Sequence, residues 1–263
     1  MSIFKEYPIL IIVGVFFVFF LVFACHFKSE TVYFIRFLIK KSRKKHIRKG
    51  KWSNQKWLVI GDSLSDITTS YTNKLYCDYI SEETGIKVIN KARRGTGYAK
   101  RLKLKNSFYL KTLNIPKNVD VITIFGSFND FTADLPLGEA QDKGFDSLAG
   151  YINATFDNIL RANPKARLGV ITPTPWSEYN PVCAKWETQE IANGYVDLLK
   201  KICKRRDILC LDLYYDSPLR PWEVEFREKY YTKDADKIGG VHPNESGHLL
   251  IAKKVLNFLQ NIL

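Results

Sequence analysis

Four short blocks carry the side chains of this chain that could do covalent chemistry. Gly61-Asp62-Ser63-Leu64-Ser65 follows one apolar run and Asn90-Lys91-Ala92-Arg93-Arg94-Gly95 follows a second. Gly126-Ser127-Phe128-Asn129-Asp130 follows a third, and Val241-His242-Pro243-Asn244 precedes the last amphipathic segment. A serine oxygen attacks poorly until a base takes its proton, and an imidazole can take that proton and later return it to a leaving alcohol. Ser63 and His242 together therefore point to acyl transfer. Taken singly the blocks say little, because a Gly-Asp-Ser turn is commonly only a helix entry and a lone histidine is usually structural. Their meaning depends on whether the fold brings them to one place.

The elements that must do so are legible from Trp52 onward. Trp57–Ile60, Ile86–Ile89, Val121–Phe125, Arg167–Ile171 and Ile208–Leu213 read as strands. Between them lie segments of helical period. Ser70–Thr84 presents Tyr71, Leu75, Tyr79 and Ile80 on one face, with Gly85 just past its end. A second helix carries Leu148, Ile152, Phe156, Ile159 and Leu160 and stops near Asn163-Pro164; a third carries Ile191, Tyr195, Leu198, Leu199 and Ile202. The last carries Leu249, Ala252, Val255, Leu256, Leu259 and Ile262. Two stretches, Lys100–Pro116 and Tyr214–Gly240, fit no regular element. Strands alternating with helices need crossover connections, hence a five-stranded, mostly parallel sheet covered on both faces. In such sheets ligands collect beyond the carboxyl ends of the strands, which is where the blocks fall.

In that setting the four blocks resemble those of the SGNH (GDSL-type) hydrolase family, over about residues 55–263. The Gly-Asp-Ser-Leu-Ser turn, the Phe-Gly-x-x-Asn-Asp block and the Val-His-Pro-Asn-x-x-Gly-His block carry the resemblance; the second block, reduced to one glycine, would mean little alone. It implies a flavodoxin-like three-layer α/β/α sandwich and ester or related acyl hydrolysis with no metal or organic cofactor. By the same resemblance, the oxyanion donors are the Ser63 amide, the Gly95 amide and the Asn129 side chain. Asp62 and Asp130 are expected to brace turns, and His248 to cap or pack the final helix. One departure stands out. The family usually places an aspartate three residues before the histidine, and here that position is Gly239. A backbone carbonyl would then hold the imidazole, or Asp236 or Asp234 would substitute.

The substrate is less legible. Arg93 and Arg94 flank Gly95, and Lys100, Arg101, Lys103 and Lys105 follow. Arg94 would suit a phosphate or carboxylate on a small-molecule, glycan or lipid ester, although an ordinary solvated basic loop reads the same way. Trp176, after the fourth strand, is expected to form a pocket wall. The aromatic stretch around Trp222, Phe226, Tyr230 and Tyr231 reads as a lid or a packing insert. A membrane-tethered serine ester hydrolase is the first reading. An O-acyltransferase or deacetylase acting on glycans, or a catalytically inactive binding protein, are the alternatives.

Composition constrains the rest. The 263 residues are 46% hydrophobic and 25% charged with a net charge of +13, which excludes a disordered or disulfide-scaffold protein. Residues 1–51 hold 11 of the 40 Lys and Arg but only 2 of the 27 acids. The body is thus only mildly basic, against a nucleic-acid partner. Tyr7–Phe27 contains no Lys, Arg, Asp or Glu; as a helix it would span about 31 Å, the thickness of a bilayer core. Residues 1–28 are read as a transmembrane anchor or uncleaved signal segment, 29–54 as a basic juxtamembrane linker and 55–263 as the hydrolase domain. The basic flank places the body in the cytoplasm, with the extracellular surface as the alternative. The five cysteines, Cys25, Cys77, Cys183, Cys203 and Cys210, show no metal-binding spacing, and free buried thiols are expected.

Overall fold

The structure, a computed structural model, describes residues 50–69, 72–100, 106–126, 128–177, 189–233 and 239–263. The expected anchor and most of the linker, Asp234, Asp236, Cys25 and Cys183 lie outside the described residues. Among the described residues no helix is long and apolar enough to cross a membrane.

Five strands, β1 (Lys56–Gly61), β2 (Lys87–Asn90), β3 (Val121–Phe125), β4 (Arg167–Ile171) and β5 (Leu209–Leu211), form one sheet in the order β2-β1-β3-β4-β5. Every neighbouring pair is parallel. The chain therefore starts in the interior of the sheet, steps to one edge, returns past β1 and runs to the other edge. The connection that reverses direction creates the crevice in which ligands of open parallel sheets bind. β1 and β3 register Gly61 against Phe125, so the first and third blocks leave the sheet side by side.

Side chains alternate across the pleat, and this divides the core in two. Leu58, Ile60, Ile122, Ile124, Leu168 and Val170 face α2 (Phe108–Thr112), α3 (Leu148–Ala162) and α4 (Gln189–Arg205). Trp57, Val59, Val121, Phe125 and Ile171 face α1 (Tyr76–Thr84), α5 (Val224–Tyr230) and α6 (Glu245–Ile262). The three-layer α/β/α expectation holds for these residues. Thr123, a polar residue in the fully buried β3, accepts a hydrogen bond from Trp57 Nε1 at 2.8 Å. That bond satisfies two groups whose burial would otherwise be costly.

Several boundaries differ from expectation. α1 starts at Tyr76 rather than Ser70, because Thr72 Oγ1 bonds locally to Lys74 and Asp78 reaches back to the Leu75 amide, which sets the helix start there. A 3-10 turn at Ile67–Thr69 precedes it. Ile191 and Leu249 are exposed rather than part of the core, and the buried stripe of α6 runs through His248, Ile251, Ala252, Val255, Phe258, Leu259 and Ile262. The two stretches read as irregular each contain a helix, α2 and α5. Helices of five and seven residues give too few turns for a hydrophobic period to register in sequence. Cys77, Cys203 and Cys210 are free thiols.

Candidate active site

The Gly61–Ser65 turn is fixed by its own aspartate. Asp62, fully buried, accepts from the Leu64 amide at 3.0 Å through one oxygen and from Asn129 Nδ2 at 2.9 Å through the other. Ser65 N closes onto Asp62 O at 3.1 Å, and Ser65 Oγ bonds Tyr76 OH at 3.0 Å. Burial pushes the Tyr76 phenol well above its ordinary range, so it remains a neutral partner. Ser63 stands half-buried at the crest of this turn.

The second block is laced to the first. The β2 ladder continues past its end, with Lys91 N on Val59 O at 2.8 Å and Arg93 N on Gly61 O at 2.9 Å. Arg94 N donates to Asp66 Oδ2 at 2.8 Å, and Thr96 Oγ1 donates to Gly61 O at 3.2 Å. Gly95 sits in this braced turn at φ +69°, a left-handed conformation that a residue without Cβ adopts at little cost. The amides of Ser63 and Gly95 make no hydrogen bond among the described residues.

Asn129 closes the ring of blocks. Its amide nitrogen donates to Asp62 Oδ2 and, at 3.2 Å, to Thr96 O, which joins the first, second and third blocks through one side chain. Asp130 holds the stretch beyond it, accepting from Tyr98 N, Ala99 N and Tyr195 OH at 2.9, 2.8 and 3.1 Å. A Cβ on Gly97 would lie 2.3 Å from Asp130 Oδ1, so this close approach needs glycine. Both aspartates are braces, as the sequence reading expects.

His242 arrives from the opposite side, with Nε2 3.1 Å from Ser63 Oγ. Residues 179 apart in sequence are thus in hydrogen-bond contact. Thr232 fixes the approach by donating both N–H and Oγ1 to His242 O at 2.9 and 3.1 Å. Asn244 caps α6 through Gly247 N at 3.1 Å and donates to Lys229 O and Tyr231 O. His248 is buried and stacks on Tyr76, ring centroids 6.3 Å apart; it packs, and Asn244 does the capping. Gly239, where the family carries aspartate, has φ +75°. Asp236 lies outside the described residues, and so does its relation to the imidazole.

Trp176 is half-buried against Phe128, centroids 4.2 Å apart, in a cluster with Tyr214. It therefore adjoins the residue preceding Asn129. Arg94 is exposed at the rim. Of the aromatic stretch, Phe226 and Tyr231 are buried packing residues, while Trp222 is half exposed. Sequence reasoning missed Asp66, Thr96 and Thr232, which position the blocks. Their contacts are long-range and leave no local pattern. Among the described residues no group of three or more acidic, histidine or cysteine side chains could hold a metal ion.

The parallel α/β sandwich thus brings a serine–histidine pair to the carboxyl edge of the sheet, an arrangement of the kind serine hydrolases use. The chain belongs to the GDSL-like lipase/acylhydrolase family, whose model matches residues 59–250, and with it to the carboxylic ester hydrolases. No curated protein matches the chain in sequence. Solved structures share its fold. A Lactobacillus plantarum protein superposes with TM-score 0.67 at 19% identity, covering 80% of this chain and 98% of its own. An aryl esterase from M. smegmatis gives 0.55 at 10%, covering 80% and 100%. A carbohydrate acetylesterase from Sinorhizobium meliloti gives 0.55 at 12%, again covering 80% and 100%. At these identities the likeness is one of fold alone.

Proposed function

We propose that this protein hydrolyses a carboxylic ester through Ser63 as nucleophile and His242 as general base and acid. The observation that carries the reading is the 3.1 Å contact between Ser63 Oγ and His242 Nε2. His242 takes the serine proton as Ser63 attacks the acyl carbon. The tetrahedral oxygen draws on the Ser63 and Gly95 amides, with Asn129 as a third donor. His242 then returns the proton to the leaving alcohol, and water repeats the sequence to free the acid. No metal or organic cofactor has a step in it.

Asn129 enters this scheme already committed to Asp62 and Thr96; it serves the oxyanion by sharing one of those hydrogens. Trp176 and Arg94 would border the acyl and alcohol sides of the substrate. The apolar leader supports a tether, with the body on the side that its basic flank favours.

Labelling with a fluorophosphonate probe tests the core of the proposal. Covalent modification of the wild-type chain, lost in Ser63→Ala and strongly slowed in His242→Ala, is the expected result. A folded wild-type protein that neither labels nor releases acid from short acyl esters would overturn it.

A further inference from the structure

Lys111 is a buried cation with no part in the mechanism above. It lies in α2, whose start is tied to the segment after Gly95 by Phe108 N to Gly97 O at 2.7 Å and Tyr109 N to Tyr98 O at 3.4 Å. Its Nζ is buried with no hydrogen-bond partner among the described residues. The charges acting on it come from two loops of the site: Asp66 and Asp62 on the nucleophile turn, and Arg93 before Gly95.

Neutral groups donate to both carboxylates, which keep their negative charge and attract the Lys111 ammonium. Asp66 takes Thr68 N and Oγ1 on one oxygen and Arg94 N on the other; Asp62 takes Leu64 N and Asn129 Nδ2. Burial lowers the Lys111 ammonium to about 8; Asp66 and Asp62 work against that shift and Arg93 adds to it. At the surface above, Lys91, Arg93, Arg94 and Lys100 are all exposed, and residues 91–100 contain no acid. None of the four makes an ion pair among the described residues. The rim beside Gly95 is thus a cationic surface, and Lys111 offsets part of the Asp62 and Asp66 charge near it, an arrangement that an anion would stabilise.

We propose that this rim is a specificity subsite for an anionic oxygen group, phosphate or carboxylate, on the ester substrate, with Arg93 and Arg94 making contact and Lys111 as a positioning residue that offsets the negative charge of Asp62 and Asp66. The proposal rests on the ester-hydrolase reading of Ser63 and His242 and names the substrate class of that site. Guanidinium groups suit it, because their paired N–H donors match two oxygens of either anion.

The test compares three acetyl esters built on one three-carbon skeleton, one neutral and two anionic: acetylglycerol, acetylglycerol phosphate and acetylglycerate. Wild type is expected to prefer at least one anionic ester by about tenfold or more in kcat/KM, expressed mainly in KM, since each charge-assisted contact contributes on that order. The phosphate and carboxylate arms show which anion fits. In Arg93→Gln/Arg94→Gln the ratio of anionic to neutral kcat/KM falls to within about twofold of unity. In Lys111→Met it falls severalfold at pH 7, and raising the pH through 8 lowers the wild-type ratio but not the variant's. Added salt erodes the wild-type ratio, as screening of a surface field requires.

Equal turnover of all three esters by wild type, or a preference untouched by the arginine pair, would overturn the subsite while leaving the hydrolase reading intact. No turnover of any ester together with no probe labelling at Ser63 removes the hydrolase reading and the subsite with it.

Discussion

Asn129 braces the site loops, and the oxyanion role proposed for the same amide can be separated from that bracing by measurement. Its hydrogen bonds to Asp62 and Thr96 hold three loops together, while the oxyanion role needs a hydrogen directed at substrate. Removing one oxyanion donor typically costs about 100–1000-fold in rate. Asn129→Ala should therefore lose activity on that scale in kcat, and should also melt earlier, because Asp62 is left buried and short of a donor. A melt shift with unchanged kcat would leave Asn129 as a brace alone. Lys111 offers a prediction of opposite sign. Its folded-state value of about 8 lies below the ordinary lysine value of 10.5, so below pH 8 the folded chain carries a poorly solvated ammonium that the unfolded chain solvates freely. Between about pH 8 and 10.5 the unfolded state binds more protons and wild-type stability rises with pH. Lys111→Met should thus raise the melting temperature at pH 7, with the gain shrinking as pH climbs past 8. Thermal melts of both proteins from pH 7 to 10 read this directly. A stability cost retained at such a position is common where a residue serves function.

At the scale of elements, the turn that delivers His242 has its own backbone requirement. Gly239 adopts φ +75°, and a Cβ there would lie 2.6 Å from Thr232 O. Thr232 is the residue that holds the His242 carbonyl. Gly239→Asp would restore the family's usual acid and yet should lower turnover of a model ester, because the left-handed conformation costs a residue with Cβ about 1–2 kcal/mol and the clash displaces the histidine's anchor. A gain in kcat would show that the turn can repack around an acid. This explains how the sequence was readable in one respect and not in another. β3 and β4 were legible to the residue, since each is a short apolar run, and so were Gly85 as the end of α1 and the order of the four blocks. Their shared edge follows from parallel topology alone. The local geometry was not legible: Asp66 on the Arg94 amide, Thr96 on Gly61 O and Thr232 on His242 O are bonds between loops, with no periodicity to announce them. The start of α1 is not legible because a threonine hydroxyl competes for the backbone, and α2 is not, because one and a half turns make no pattern.

Over the whole molecule, charge and apolarity are distributed unevenly, and that distribution makes the last prediction. The first 51 residues carry most of the net positive charge, together with an unbroken apolar run from Tyr7 to Phe27. In the remainder, among the described residues, no helix is long and apolar enough to cross a membrane. The leader is where membrane attachment is proposed, because it holds both the apolar run and the basic excess. Two physical routes are open to it: a hydrophobic span, which resists both salt and alkaline carbonate, and a basic surface contact, which salt screens within about 10 Å at 0.1 M. The 21 uncharged residues from Tyr7 to Phe27 favour the first, since they match a bilayer core of about 30 Å. The full chain is therefore expected to sediment with membranes and to stay there through high salt and carbonate. A protein beginning at Gly50 should remain in the supernatant and keep its kcat on a water-soluble ester. Release of the full chain by salt alone would assign attachment to the basic stretch instead. Loss of ester turnover on truncation would mean that the leader contributes to the site itself.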